Sequence, residues 1–174
     1  MRSRPDSTLL AVIDVQERLV AAVDAAPGVV DRCCRLARAA ERLGVRRLLS
    51  EQYPKGLGPT VGELAGLMPP PREKMAFSGC GCLGEPLPNA LESVVLAGLE
   101  THICIAQTAL DLLEAGLGVF VAVDAVASRQ KIDHEVGLRR LEAAGCVLVT
   151  SEAVLFEWCG TAEHEAFQEI RRLL

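Results

Sequence analysis

Aromatic side chains are scarce, at 3% of 174 residues, with one Trp, one Tyr and four Phe. The core must therefore be built from Leu, Val and Ala, and few rings are left to stack on a planar ligand. Histidine is scarcer still, and His102, His134 and His164 are too scattered in sequence to suggest a metal site. No apolar run approaches the ~20 residues of a membrane span, and no secretory leader pattern is visible at the N-terminus. Positive charge falls short of negative, 18 Lys and Arg against 23 Asp and Glu, and the net charge of -5 argues against a nucleic-acid or anionic-membrane surface. Phosphate motifs are missing: there is no GxGxxG after a strand and no GxxxxGK[ST]. No serine sits in a GxSxG setting. Internal repeats and low-complexity segments are absent.

What is present fits one compact unit. A chain of this length suits a single domain over residues 1–174, and a hydrophobic share of 50% can fill its core. Residues 1–7 are polar, carry two arginines and read as a frayed tail. Seven cysteines are an odd number in a chain too large to need staples, so reduced thiols in a cytoplasmic protein are the simpler expectation.

Apolar runs over residues 8–13 (TLLAVI), 45–50 (VRRLLS), 94–97 (VVLA), 119–123 (VFVAV) and 146–150 (CVLVT) read as strands. A weak sixth strand or extended loop covers residues 73–78 (EKMAFS). Helical spacing follows Gln16, runs over residues 28–43 and 128–145, and returns over 151–158 and 163–174, with short helices at 61–67 and 86–91. Strand and helix alternate, so the predicted fold is three-layer α/β/α with a mostly parallel five- to six-stranded sheet, Rossmann-like in class. Residues 51–71, rich in Pro and Gly, form loops of the kind that shape a pocket at the carboxyl ends of strands.

The stretch SVVLAGLETHICIAQTALD, residues 93–111, is the centre of the sequence. A buried strand is broken by Gly98, a helix is predicted from Thr101 or His102, and Cys104 falls in its first turn. The helix dipole there favours a thiolate. From this stretch alone, a small buried apolar role is the commoner use of such a cysteine. Asp14 closes the first strand, either where open α/β sheets place their ligands or as a helix cap. Lys74 reads as a surface lysine from local sequence, Tyr53 as a pocket wall or loop anchor, and His102 as a packing residue or a base for the thiol. The GCGC segment at 79–82 has no second Cys pair at a zinc spacing and reads as a loop.

Strand-IDVQ at 13–16, the lysine of EKMAFS and strand-AGLETHICI at 97–105 together resemble the isochorismatase-like cysteine hydrolases, which include nicotinamidases and carbamoylsarcosine amidases. The resemblance spans residues 8–149. Through SEQYPKGLG and TSEAVLFEWCG it extends to the isochorismatase-domain-containing subgroup. It implies a triad of Asp14 as base, Lys74 as cation and Cys104 as nucleophile. It also implies an oxyanion hole from the backbone N–H groups of Glu100 and Cys104, with a cis Leu99–Glu100 peptide. Gln16, Tyr53 and Phe77 are the expected substrate contacts. The Asp-x-His metal site of nicotinamidases is not matched, so no metal and no cofactor are expected. Cys104 argues against the vinyl-ether chemistry of isochorismatases proper, which lack that cysteine. The implied activity is hydrolysis of a small-molecule C–N bond through a thioester, in a homo-oligomer contacting through helices near 107–115 and 151–160. A non-catalytic oligomeric scaffold or a thiol redox protein using Cys104 or Cys80/Cys82 are the alternatives.

Overall fold

The computed structural model describes residues 2–84 and 90–174. Its elements run β1 (Thr8–Ile13), α1 (Glu17–Ala22), α2 (Ala26–Arg42), β2 (Arg46–Gln52), α3 (Pro54–Leu57), α4 (Gly62–Ala65), β3 (Arg72–Lys74), β4 (Ser93–Leu99), α5 (Ala106–Glu114), β5 (Gly118–Ala127), α6 (Lys131–Ala143), β6 (Val147–Val149), α7 (Ser151–Cys159) and α8 (Phe167–Arg171). Among the described residues six strands form one sheet in the order β3-β2-β1-β4-β5-β6. Every neighbouring pair is parallel.

The period-2 alternation of β1 explains why both faces are covered. Leu10 and Val12 pack with Val95, Phe120 and the apolar faces of α2 and α7. Leu9, Ala11 and Ile13 point the other way, into a second core with Val94, Leu96 and the α5 residues Ala109 and Leu112. The sheet grows from β1 in both directions, toward β2 and β3 on one side and toward β4 to β6 on the other. Ile13 and Gly98 are register partners at that reversal, so the segments following β1 and β4 emerge side by side. Open α/β sheets place their ligand crevices at such a switch point.

Several expectations need correction. The N-terminal residues are not frayed: fully buried Ser3 donates its N–H to Glu157 Oε2 at 2.8 Å and accepts the Trp158 Nε1–H at 2.7 Å. The indole needed a polar partner, and the tail supplies it. The weak strand is only three residues long, because the chain after Lys74 turns back so that the carbonyls of Ala76 and Phe77 reach the Lys74 ammonium. Residues 80–83 are a 3-10 turn rather than a loop. The terminal helix is confined to Phe167–Arg171, since the Ala166 N–H bonds to His164 Nδ1 and holds the preceding residues in turns. The helix expected over 86–91 falls largely outside the described residues.

Gly98 is where β4 passes closest to β1. Its φ is +120°, and a Cβ there would stand 2.0 Å from the Ile13 carbonyl oxygen. Gly145 also has a positive φ, +106°, but a Cβ at that position would meet nothing within 4 Å. Gly98→Ala is therefore expected to destabilise the fold by at least about 3 kcal/mol, whereas Gly145→Ala costs about 1–2 kcal/mol for backbone strain alone. Urea unfolding of both variants checks this, and equal losses would contradict the close-approach account.

Candidate active site

Asp14 leaves β1 in a left-handed conformation, φ 53°, with its N–H donated to the Ser50 carbonyl at 3.2 Å. The side chain has no exposed surface. Its Oδ1 accepts from Ser50 Oγ at 2.7 Å, and its Oδ2 accepts from Lys74 Nζ at 2.6 Å. The ammonium also donates to Gln52 Oε1 and the Phe77 carbonyl, each at 2.9 Å. Lys74 is 8% exposed. A buried ion pair survives when further hydrogen bonds satisfy both charges, and Ser50, Gln52 and Phe77 provide them.

Cys104 follows β4. The expected α-helix does not begin at Thr101. Residues Thr101–Ile105 form a wide π-helical turn, and regular helix starts only at Ala106. The Leu99–Glu100 peptide that leads into the turn is cis. The Cys104 carbonyl accepts from Thr108 Oγ1 at 2.6 Å, and Thr108 Oγ1 in turn accepts the Gly79 N–H at 2.7 Å. The turn is thus tied to the loop that follows Lys74.

Cys104 is 6% exposed. Burial pushes its pKa up to about 12; the Asp14 carboxylate adds to this, and the Lys74 ammonium opposes it. The expectation of a thiolate is corrected: desolvation outweighs the lysine, and the raised pKa favours the thiol. A thiol beside a carboxylate needs that carboxylate as a base, an arrangement suited to proton transfer during attack.

Asp14, Lys74 and Cys104 therefore meet. The three expected substrate contacts fare differently. Gln16 is fully buried, donates Nε2–H to the carbonyls of Gln52 (3.1 Å) and Gly58 (2.7 Å), and accepts the Gln52 N–H at 2.8 Å. It braces β1 to β2, with both amide protons committed and the side chain out of a ligand's reach. Tyr53 and Phe77 are 47% and 53% exposed. They flank Lys74 in the fold: the Tyr53 N–H bonds to the Lys74 carbonyl, and Phe77 presents its own carbonyl to the ammonium. Among the described residues no group of three or more His, Cys, Asp or Glu side chains is arranged to hold a metal ion.

Ser50, Gln52, Thr108 and the Glu100 side chain are site residues that sequence reasoning missed. Extending the second strand by two residues would have added Gln52, which shares one face with Ser50 two residues earlier. Glu100, 4% exposed, accepts on Oε1 both the Arg129 N–H and its Nε–H at 3.0 Å. No sequence signal linked residues 29 apart.

Residues 8–153 match the model of the isochorismatase domain. The chain is 41% identical to mouse isochorismatase domain-containing protein 2A, over 99% of this chain and 85% of that protein. Among solved structures, the MAR1 ribonuclease of Caenorhabditis elegans superposes with a TM-score of 0.92 at 36% identity, covering 100% of this chain and 92% of the other. The YcaC gene product of Escherichia coli, described as an octameric hydrolase, gives 0.82 at 21% identity over 99% and 94%.

Lys74→Met leaves the Asp14 carboxylate buried without its cation and is expected to cost about 3–5 kcal/mol. Adding Asp14→Asn removes the orphaned charge and should restore much of the loss. Denaturant unfolding of the single and double variants measures both, and a single-variant loss below about 1 kcal/mol would mean the pair is not effectively buried.

Proposed function

The chain belongs to the isochorismatase family, and we propose that within it this protein is a metal-independent cysteine hydrolase that cleaves a C–N bond in a small amide-type molecule. The family is one of hydrolases in general. The observation that carries the finer reading is the Asp14–Lys74 ion pair set against the buried side chain of Cys104.

In this reading Asp14 takes the thiol proton as sulfur attacks the carbonyl carbon. The developing oxyanion is held by the backbone N–H groups of Glu100 and Cys104. Collapse breaks the C–N bond, and protonated Asp14 returns its proton to the departing nitrogen. The product is a thioester on Cys104 and free ammonia or amine. Asp14, again a carboxylate, takes a proton from water, whose oxygen attacks the thioester. A second oxyanion collapses, the thiolate leaves and regains its proton from Asp14, and a carboxylic acid is released. Lys74, hydrogen-bonded to Asp14 Oδ2, offsets the negative charge passed between carboxylate and sulfur. Tyr53 and Phe77 form the apolar rim that a substrate crosses.

The protein is further proposed to act as a homo-oligomer in the cytoplasm. Cys33, Cys34, Cys82, Cys104, Cys146 and Cys159 carry free thiols, which fits a reducing compartment. Among the described residues no helix is long and apolar enough to cross a membrane. The ribonuclease name of the Caenorhabditis elegans structure raises RNA cleavage as a second reading. The net charge of -5 and the recessed nucleophile fit a polyanionic chain poorly.

A panel of small amides, ureas and a short RNA tests both readings by ammonia or amine release, RNA cleavage and intact-protein mass. Release from at least one amide, with a transient acyl mass on Cys104, is expected. Cys104→Ala should abolish it, and Asp14→Asn should slow it by about 10²–10⁴-fold. Cleavage of RNA by the wild type and the Cys104→Ala variant alike, with no amide turned over, would overturn the proposal.

A further inference from the structure

Three successive residues just ahead of Cys104 are each held by a side chain of the β5–α6 connection or of α6. Arg129 donates to Glu100 Oε1. His134 Nδ1 shares a 2.9 Å hydrogen bond with Thr101 Oγ1, and Ser128 Oγ shares one of 2.9 Å with His102 Nδ1. Ser128, Arg129 and His134 also line one cavity of about 530 Å³, between the start of α2 and the end of β5. Asp14, Lys74 and Cys104 do not border it. Its wall is therefore the support of the turn that carries the nucleophile.

The chemistry of that wall favours one class of ligand. Its charged groups are Arg32, Arg129 and Lys131 against Asp24 and Asp124. Asp124 is engaged by the Ser151 N–H at 2.7 Å, the Ser151 hydroxyl at 2.5 Å and Arg32 Nε at 3.3 Å, so Arg32 and Asp124 offset each other. Lys131 Nζ lies 3.6 Å from Glu135 Oε1, but both side chains are exposed and such a surface pair is weak, so Arg129 and Lys131 still face Asp24, with His134 beside them. Arg129 uses its Nε–H on Glu100, while its side chain stays 52% exposed, and the outer edge of its guanidinium retains two amino groups. A guanidinium edge presents parallel donors that fit a carboxylate. Val29, Val126 and Ala127 supply the apolar wall beside it. The volume is that of a small-molecule site.

We propose that this cavity binds a small organic carboxylate whose capture by Arg129 acts through Glu100 on the Cys104 turn. The ligand occupies the outer guanidinium edge while the Nε–H stays on Glu100, so both carboxylates are held at once and the turn is stiffened. The catalytic consequence rests on the amide-hydrolase reading, whose product acid belongs to the same chemical class; the binding does not rest on it.

The test is an amide-resolved NMR titration of the full chain with butyrate, with butan-1-ol as the uncharged control. Hydrogen exchange is followed at Thr101 and His102. Saturable shifts centred on residues 126–131 and 28–29 are expected with butyrate and not with butanol, together with slower exchange in the turn. Arg129→Met should weaken butyrate at least about tenfold, as loss of a charged hydrogen-bonded contact does. Lys131→Gln, at an exposed position that does not hold the turn, should weaken it about threefold and serves if Arg129→Met does not fold. Cys104→Ala should bind as the wild type does, so binding is read even if no amide is hydrolysed. Absence of shifts, equal shifts with butanol, shifts centred on Asp14 and Lys74, or variants that bind as tightly as the wild type would each overturn the proposal.

Discussion

A carboxylate and an ammonium share the floor of this site out of contact with water, and the surrounding chain is arranged to keep them there. Asp14 and Lys74 lie 60 residues apart in sequence and 2.6 Å apart in space. Two such charges are costly to bury, and neither alone would be tolerated. The Ser50 hydroxyl, the Gln52 amide oxygen and the Phe77 carbonyl brought round by the reversal of the chain after Lys74 each satisfy one valence of the pair. Gln16, buried just beyond Asp14, fastens the ends of β1 and β2 so that those partners stay in register. The short β3 is short because its last residue is committed to this pair.

The same topology brings the nucleophile to the pair. Because the sheet reverses direction of growth between β1 and β4, the segments after those strands emerge next to each other. Gly98 lets β4 come close enough, and the wide turn of Thr101–Ile105 then sets Cys104 within reach of both charges. Burial of sulfur beside a carboxylate makes the thiol a poor acid. In the proposed reaction this is no handicap, since the proton is removed only as the carbonyl carbon accepts the electron pair, and no charged sulfur needs to persist.

The parallel sheet was legible because its strands are continuous apolar runs with no alternation, the mark of burial on both faces. TLLAVI and the VVLA of β4 announce central strands this way. What was not legible lies where polar tertiary contacts override local pattern. Arg72–Lys74 pairs with β2 because of where Lys74 must point, not because REK favours extension. The N-terminal residues look disposable until Trp158 is seen to need Ser3. Asp14, Lys74 and Cys104 were marked as a set by resemblance, since no local feature distinguishes Lys74 from a surface lysine. The thiolate expectation failed for a physical reason: a helix N-terminus is visible in sequence, whereas the depth of a side chain is not. The side-chain pairing of Glu100 with Arg129 escaped notice because an ion pair across two loops leaves no periodic trace.

The central claim is that burial and the Asp14 carboxylate hold Cys104 as a thiol until a substrate carbonyl accepts the electron pair of its sulfur. The pH dependence of its alkylation by iodoacetamide, resolved from the other six cysteines by peptide mapping, tests this most directly. A rate that keeps rising about tenfold per pH unit past the ordinary thiol value of about 8.5 is predicted, with Asp14→Asn faster than wild type at every pH because a negative neighbour has been removed. A rate already at its plateau below about pH 8, unchanged by Asp14→Asn, would show a preformed thiolate and contradict the account.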